Sequence, residues 1–419
     1  MHCGLLGQTL AHSHSPALHR LLGGYEYTLF EKSPQEVEDF LKNGPWDGLN
    51  VTIPYKKTAY AFCHEISPAA KAVGNVNTLL RRRDGSIYGD NTDYFGFRYL
   101  LEKAHVDPRG KKALVLGSGG ASGTVCAVLR DMGAAVTVVS RTPKNCAKVL
   151  NFFGQTSISY LDIFQHRDAK ILVNTTPVGM YPKNGAAAVD LDGFSNLEFV
   201  ADVIYNPART ALLLQAEKLG IPCAGGLSML AAQAAASAAV FLGREKVDRG
   251  QIRRAEETLR RQTENMVLIG MPGCGKTAVA LALGKALNRP VWDSDQEIVR
   301  RAGLSIPEIF ARWGEERFRE METEVLADLG KRWGGIIATG GGCVTRSENR
   351  DLLRQNGRVF WLRRDGEKCT AQGRPLLKEY SWEELYRQRA GLYEDFCDEV
   401  ISNNAAPEDA AGKIKEIMG

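Results

Sequence analysis

The 419-residue sequence predicts an α/β protein: an N-terminal α/β substrate domain and a Rossmann-type domain, then a P-loop domain with a parallel sheet flanked by helices. Three observations point there. Short apolar runs alternate with helical patterns along the chain, the glycine-rich turn "VLGSGGASG" joins a strand to a helix at residues 115–123, and "GMPGCGKT" does the same at 270–277. Such alternation builds mostly parallel sheets covered by helices. The length also exceeds the roughly 250 to 300 residues at which single cores stop growing, so several domains are expected.

The elements follow in order. Strands at "CGLLG", "YEYTLFE" and "GLNVTIP" alternate with helices at 16–22, at 34–41 and from Tyr55 onward. The run "LLRRRDGSIYGD" reads as two short strands turning at Asp84-Gly85, a hairpin. A second series has strands at "KKALVLG", "AAVTVVS", "AKILVNTTP" and "LEFVADVIY". The Ala-rich run at 226–243 carries Ser228, Gln233 and Ser237 and falls short of the roughly 20 strongly apolar residues of a membrane span, so it reads as a buried helix. Residues 244–264 are polar, with five acids against seven bases, and fit either a partly helical linker or a solvated helix capping one domain. Beyond them strands are predicted at "NMVLIGM", "PVWDSD", "GGIIATGG", "RVFWL" and "DEVIS". The expected domains are therefore 1–98 completed by 226–243, 99–225, a linker at 244–264, and 265–419.

Composition narrows the function classes. Hydrophobic residues make up 44% and charged residues 24%, which is ordinary for a soluble globular protein. A formal net charge of +4 is too small and too dispersed to suggest a nucleic-acid surface. The amino terminus has no charged segment followed by a long apolar one, so no signal peptide is read and a cytoplasmic location is expected. Nine cysteines without a Cys-x-x-Cys pair fit reduced thiols. The partners expected are small molecules, with neither nucleic acid nor membrane; the sequence leaves oligomeric state open.

Two glycine-rich loops carry phosphate chemistry. Gly117, Gly119 and Gly120, with Ala121 opening the helix, stand where backbone N–H groups and a helix N-terminus approach a pyrophosphate. Ser122 takes the third glycine position of G-x-G-x-x-G. The next strand ends in Ser140-Arg141-Thr142 rather than an acid, which favours a ribose 2′-phosphate and hence NADP(H) over NAD. The second loop, Gly270 through Gly273, Cys274, Gly275, Lys276 and Thr277, meets the full pattern of an ATP-binding P-loop, with Lys276 for the transferred group and Thr277 for Mg²⁺. Asp293 and Asp295 end the following strand, where such a pair could hold Mg²⁺ partly through water and orient or deprotonate an acceptor hydroxyl.

The first domain adds polar clusters after its strands: Ser13 and Ser15, then Asn50, Thr52 and Lys56, then Asn77 and Asp93. Hydroxyls suit a carboxylate or polyol, and Lys56 with Asp93 forms a plausible proton-transfer pair. Each cluster alone also fits helix caps and turns. His12, His14 and His19 lack a placed carboxylate and are not read as a metal site.

In order, Ser13-x-Ser15-Pro16, "NVTIPYK", "VNTL", "GDNTD", "GSGGAS", "SRT", "NTTPVGM", "DVIYNPARTALL" and "GLSMLAAQA" resemble shikimate dehydrogenase over 1–243. The resemblance implies NADPH-dependent reduction of 3-dehydroshikimate to shikimate. It gives catalysis to Lys56 and Asp93, substrate contacts to Ser13, Ser15, Thr52, Asn77, Tyr205 and Gln233, and places Met229 near the nicotinamide. Quinate as substrate, or NAD as cofactor, is the alternative within the same class. Downstream, "GMPGCGKT", "WDSD", "IFARWGEERFREMET", "ATGGG", "GRPLL" and "RAGLY" resemble shikimate kinase over 266–418. That implies ATP-dependent phosphorylation of shikimate to its 3-phosphate. Asp295 would meet the acceptor hydroxyl, Asp293 would support Mg²⁺, and Arg319, Arg389, Gly340, Gly341 and Gly342 would bind shikimate. Glu322 would orient Arg319, and Arg374 would reach the phosphates from a lid that is shorter than usual for the family.

Overall fold

A computed structural model describes residues 1–10, 13–143, 156–369 and 381–419. The chain forms two compact units: residues 1–178, 187–205 and 215–259 in one, and residues 179–186, 206–214 and 260–419 in the other.

The first unit holds two sheets. In one, the strands β1 (His2–Gly7), β2 (Glu26–Glu31), β3 (Gly48–Val51), β4 (Glu65–Ile66), β5 (Thr78–Arg81) and β6 (Ile87–Asp90) are arranged β2-β1-β3-β5-β6-β4. β1 runs parallel to β2 and β3, whereas β5 is antiparallel to both β3 and β6. The hairpin read at Asp84-Gly85 is present, with Gly85 at φ 85°. Reversing β5 has a functional consequence. Asn50 faces Thr78 and Thr78 faces Asp90, so the start of β5 and the ends of β3 and β6 lie at one edge of the sheet. The side chains after those strands therefore converge.

The second sheet, β7 (Lys112–Leu116), β8 (Ala135–Ser140), β9 (Thr156–Ser159), β10 (Ile171–Asn174), β11 (Phe199–Asp202) and β12 (Cys223–Ala224), is wholly parallel in the order β12-β11-β10-β7-β8-β9. Its central strands are continuous apolar runs, as strands covered on both faces require.

The helices of this unit are α1 (Ser15–Leu22), α2 (Val37–Asn43), α3 (Lys56–Ala61), α4 (Pro68–Val73), α5 (Thr92–Lys103), α6 (Gly120–Asp131), α7 (Ala211–Lys218), whose first turn falls in the other unit, α8 (Leu227–Phe241) and α9 (Arg249–Thr263). α8 is the Ala-rich helix, and it is buried along most of its length. Small side chains let α1 and α5 approach it closely, so Leu18, Tyr99, Ala231, Ala235 and Ala238 share one core cluster. α9 looks uniformly polar, yet Ile252, Ala255 and Leu259 recur on one face and are buried in that same cluster. Three residues suffice to seat a helix whose other faces are charged.

The second unit is built on a parallel sheet, β13 (Asn265–Ile269), β14 (Val291–Asp293), β15 (Ile336–Ala338), β16 (Gly357–Arg363) and β17 (Glu399–Ser402), in the order β14-β15-β13-β16-β17. Around it lie α10 (Lys276–Leu287), α11 (Ser294–Ala302), α12 (Ile306–Gly330), α13 (Glu348–Arg354), α14 (Trp382–Phe396) and α15 (Pro407–Met418). Gly314 breaks α12 at φ 80°, so its two halves differ in direction. The segments 179–186 and 206–214 join this unit through hydrogen bonds at the carboxyl end of α13. Arg209 donates to the carbonyls of Arg354 and Gly357 at 2.9 and 3.1 Å, and Asn184 donates to Gln355 at 2.6 Å.

His19 is buried on α1, stacked on Tyr27 at 4.1 Å with its Nδ1 2.6 Å from the Tyr25 hydroxyl. Burial disfavours the imidazolium and lowers the His19 pKa from 6.5 to about 3. The unfolded chain takes up this proton below about pH 6.5 while the folded chain resists it, so the contribution to stability is full above 6.5 and is lost as pH falls toward 3. Denaturant unfolding of the first unit should therefore show the native chain losing about 2 kcal/mol more than His19→Gln between pH 7 and pH 5. Parallel pH dependences in the two proteins would contradict it.

Candidate active sites

The convergence of β3, β5 and β6 builds a cavity of about 560 Å³ in the first unit. Ser13, Ser15, Thr52, Lys56, Asn77, Asp93, Tyr205, Met229 and Gln233 all line it, as does Ala121 of the glycine-rich turn. Residues read from seven separate motifs thus meet in one place.

Lys56 opens α3 just beyond β3, and Asp93 lies in the first turn of α5 just beyond β6. Their charged atoms are 2.5 Å apart, with the two side chains 26% and 20% exposed. The pair is shielded enough to be strong and open enough to reach a ligand. The N-terminal dipole of α5 also favours the Asp93 carboxylate. Ser15 N donates to Ser13 Oγ at 3.2 Å, which fixes the start of α1. Tyr205 packs edge-on to His14 with ring centroids 6.1 Å apart, and burial raises its pKa. His12 lies outside the described residues; among those described, no group of three or more metal-binding side chains occurs.

At the adjoining nucleotide edge, β7 leads into Gly117 at φ 102°, and α6 starts from an extended Gly119. A side chain at Gly119 or Gly120 would meet nothing within 4 Å, so no packing in the described chain requires glycine there. Their smallness is of use to a group that approaches the backbone closely. Ser122 is fully buried beside Cys126, with sulfur and oxygen 3.9 Å apart, which explains why a small polar residue serves at the third glycine position. At the end of β8, Ser140 Oγ lies 3.2 Å from Ser118 Oγ and accepts from Thr142 N at 3.3 Å. Arg141 is exposed beside them.

The second unit carries the other constellation. β13 delivers the loop, and Gly275, at φ 94°, begins α10. Lys276 is buried, and its ammonium donates to the carbonyls of Gly270 and Met271 at 2.7 and 3.0 Å. Thr277 donates to Asp293 Oδ2 at 2.8 Å, and Asp293 Oδ1 caps α11 by accepting from Asp295 N and Gln296 N. Asp293 therefore joins the end of β14 to the phosphate loop.

Arg319 and Glu322 are both buried on α12, and Arg319 Nη1 donates to Glu322 Oε2 at 2.7 Å. A second carboxylate, Glu315, accepts from Nη2 at 2.9 Å. Burial raises the Glu322 pKa and the guanidinium opposes it; for Arg319, burial works against the charge but the two carboxylates outweigh it, so its pKa rises. The ion pair is the state this geometry favours.

The glycines after β15 have a structural explanation that spacing did not reveal. A Cβ on Gly340 would collide with Glu322 and Asp295, one on Gly341 with Pro272 of the phosphate loop, and one on Gly342 with the Arg319 guanidinium. The segment also bonds outward: Gly340 N donates to Ser294 Oγ at 2.9 Å, and Gly341 O accepts from Arg389 at 3.3 Å and from the Tyr393 hydroxyl. Ser294, Glu315 and Tyr393 were missed in the sequence. The last two lie four residues from Arg319 and Arg389, so helical spacing was an available signal. Arg374 lies outside the described residues.

These features define an α/β oxidoreductase with a dinucleotide edge, followed by a P-loop phosphotransferase. The family model for the shikimate dehydrogenase substrate-binding domain matches residues 5–79, and that for shikimate kinase matches residues 272–418. Shikimate dehydrogenase (NADP(+)) from Clostridium perfringens is 36% identical over 255 residues, spanning 59% of this chain and 93% of that protein. A solved chorismate mutase/shikimate 5-dehydrogenase fusion protein from Clostridium acetobutylicum is 36% identical with a TM-score of 0.57, covering 62% of this chain and 96% of the other. Shikimate 5-dehydrogenase from Thermus thermophilus, solved with NADP(H) and shikimate, is 31% identical with a TM-score of 0.56, covering 62% of this chain and 99% of the other. The chain belongs to the shikimate dehydrogenase family and continues into a shikimate kinase domain. Both halves are enzymes, the first using NADP and the second ATP.

Because Gly342 gives way to the Arg319 guanidinium, Gly342→Ala should displace that arginine and lower kinase kcat/KM for shikimate by about 100-fold, the scale of an ångström-sized misplacement. Assaying both reactions on one preparation checks this. Wild-type kinase kinetics, or an equal loss of dehydrogenase activity, would contradict it.

Proposed function

We propose that this chain is a bifunctional enzyme: it reduces 3-dehydroshikimate to shikimate with NADPH in its first unit and phosphorylates shikimate to shikimate 3-phosphate with ATP in its second. The observation that carries the reading is the convergence of residues from two ordered motif sets, one on the Lys56–Asp93 cavity and the other on the Lys276–Asp293–Arg319 constellation. The first site lies in the unit of residues 1–178, 187–205 and 215–259, the second in the unit that includes 260–419, and within 244–264 the helix α9 packs on the first unit. No described helix is long and apolar enough to cross a membrane. A cytoplasmic location fits this reading.

Bound NADPH supplies hydride, and bound ATP supplies the transferred phosphoryl group. In the first site, Lys56 faces the ketone oxygen, offsets its developing charge and gives it a proton, while Asp93 holds the ammonium in place. Ser13, Ser15, Thr52, Asn77, Tyr205 and Gln233 bind the carboxylate and hydroxyls. Gly117, Gly119, Gly120 and Ala121 admit the pyrophosphate, Met229 borders the nicotinamide, and Ser140, Arg141 and Thr142 receive the 2′-phosphate.

In the second site, the loop glycines with Cys274, Lys276 and Thr277 cradle the ATP phosphates, and Arg374 belongs to the same role. Asp295 orients the acceptor hydroxyl and takes its proton. Arg319 and Arg389 bind the shikimate carboxylate, with Gly340, Gly341 and Gly342 shaping the floor. The Thr277 hydroxyl and Asp293 carboxylate form an oxygen pair beside the loop that suits Mg²⁺, which keeps several waters.

Incubated with 3-dehydroshikimate, NADPH, ATP and Mg²⁺, the chain should form shikimate 3-phosphate. Lys56→Ala should abolish NADPH oxidation alone, and Asp295→Asn phosphorylation alone, each by at least about 100-fold. NADPH oxidation with 3-dehydroshikimate and phosphorylation of separately supplied shikimate measure the two, and loss of both activities in either variant would refute independent sites. Arg141→Ser should raise KM for NADPH by about 10-fold and leave KM for NADH unchanged; equal changes for both cofactors would remove Arg141 from the 2′-phosphate site.

A further inference from the structure

Behind the cavity that Asn50 and Asn77 line, Ser237 joins a buried polar cluster. Ser237 sits on α8 one turn beyond Gln233 and is fully buried. Its hydroxyl oxygen lies 2.8 Å from Asn50 Nδ2, 3.0 Å from Thr78 Oγ1, 2.9 Å from Thr92 Oγ1 and 2.9 Å from the carbonyl of Gln233. One small side chain thus meets β3, β5, α5 and its own helix.

The directions of these bonds follow from the donors. Thr92 N donates to Asn77 Oδ1 at 2.7 Å, and the hydroxyls of Thr92 and Thr78 reach the same oxygen at 3.1 Å each. A backbone N–H can only donate, so the Asn77 amide is held oxygen-inward and its NH₂ end is left toward the cavity that Asn77 lines. Gln233 is set the other way: its Nε2 donates to the Leu230 carbonyl at 3.0 Å, leaving Oε1 as an acceptor. The cavity therefore presents a donor and an acceptor from different elements, as neighbouring hydroxyls on a ring require. Tyr27 extends the cluster to β2: its hydroxyl donates to Asn50 Oδ1 at 2.8 Å.

We propose that Ser237 is a positioning residue for the reduction: its hydroxyl ties the helix bearing Gln233 to the threonines that hold the Asn77 amide, and so sets the spacing of the cavity's donor and acceptor. Tyr27, through Asn50, ties β2 to the same frame. The proposal rests on the cavity being the substrate site. A buried hydroxyl that served only to stabilise the fold would change the amount of active enzyme and leave substrate affinity untouched.

Three variants of the full chain test it. Ser237→Ala and Tyr27→Phe should each raise KM for 3-dehydroshikimate by about 5- to 10-fold, the scale of one hydrogen bond, with kcat within about twofold of wild type. KM for NADPH, the pH profile of reduction and the kinase rate should stay at wild-type values. Because both variants act through Asn50, their combined effect should be less than the product of the two. Asn77→Ala serves as the reference. If it raises KM while Ser237→Ala and Tyr27→Phe leave KM unchanged, or only lower kcat, the positioning role is wrong. If Asn77→Ala also leaves KM unchanged, the placement of the substrate in this cavity fails instead. Tyr27→Phe preserves the side-chain volume, so the test survives even if Ser237→Ala folds poorly.

Discussion

The arrangement depends on one constraint: parallel strands leave all their carboxyl ends at the same edge, and the helices that follow point their N-termini there. That edge collects unpaired N–H groups and positive dipole ends, and it receives the groups that need them. Gly117 follows β7 and the phosphate loop follows β13 in this way. The first sheet reaches the same result although it is mixed, because the reversed β5 starts where β3 and β6 end. Asn77 thereby joins Thr52, Lys56 and Asp93, which come from ordinary strand-to-helix turns. A one-residue slip between β5 and β6 would turn the facing side chains to opposite sides and part Asn77 from Asp93.

Placing polar groups at such an edge creates a second requirement, that those cut off from water be paired. The two sites meet it with different chemistry. Behind the first cavity the buried groups are amides and hydroxyls, with Asn50, Thr78, Thr92 and Ser237 bonding to one another. In the kinase constellation they are charges, with Glu322 wholly buried against Arg319. A neutral network holds shape at little electrostatic cost. A buried ion pair keeps a guanidinium rigid and charged, which suits binding a carboxylate but makes loss of either partner severe.

Much of this was legible in the sequence, for identifiable reasons. Strands buried on both faces are continuous apolar runs, so β7, β10 and β13 could be read directly, and the hairpin declared itself through Asp84-Gly85. The helix α9 was harder. Its three apolar residues are outnumbered by charges, and only their spacing marks a buried face. Among site residues, Lys56, Asp93, Asp293 and Arg319 lie in dense motifs, whereas Ser237 and Tyr27 are single polar residues in runs that otherwise read as core. Their meaning comes from neighbours 145 to 187 positions from Ser237 and 23 from Tyr27. The glycines at 340–342 show a different limit. Their sequence announces a site, but which side chains they make room for is a fact of packing alone.

The two sites also differ in the sign of charge they place beside the same oxygen. Reduction brings electrons onto a ketone oxygen, and in the proposed mechanism the Lys56 ammonium lowers the energy of the charge that accumulates there. Phosphorylation removes a proton from the hydroxyl so formed, and in the proposed mechanism the Asp295 carboxylate favours that removal; a cation fixed at the same distance would hold the alkoxide but weaken its attack. In the first site the Asp93 carboxylate is bound to the Lys56 ammonium at 2.5 Å and serves to hold it. Opposite electrostatic demands at one atom are therefore met by two sites. In this chain they stand on separate sheets, each with its own nucleotide loop and its own means of holding shikimate.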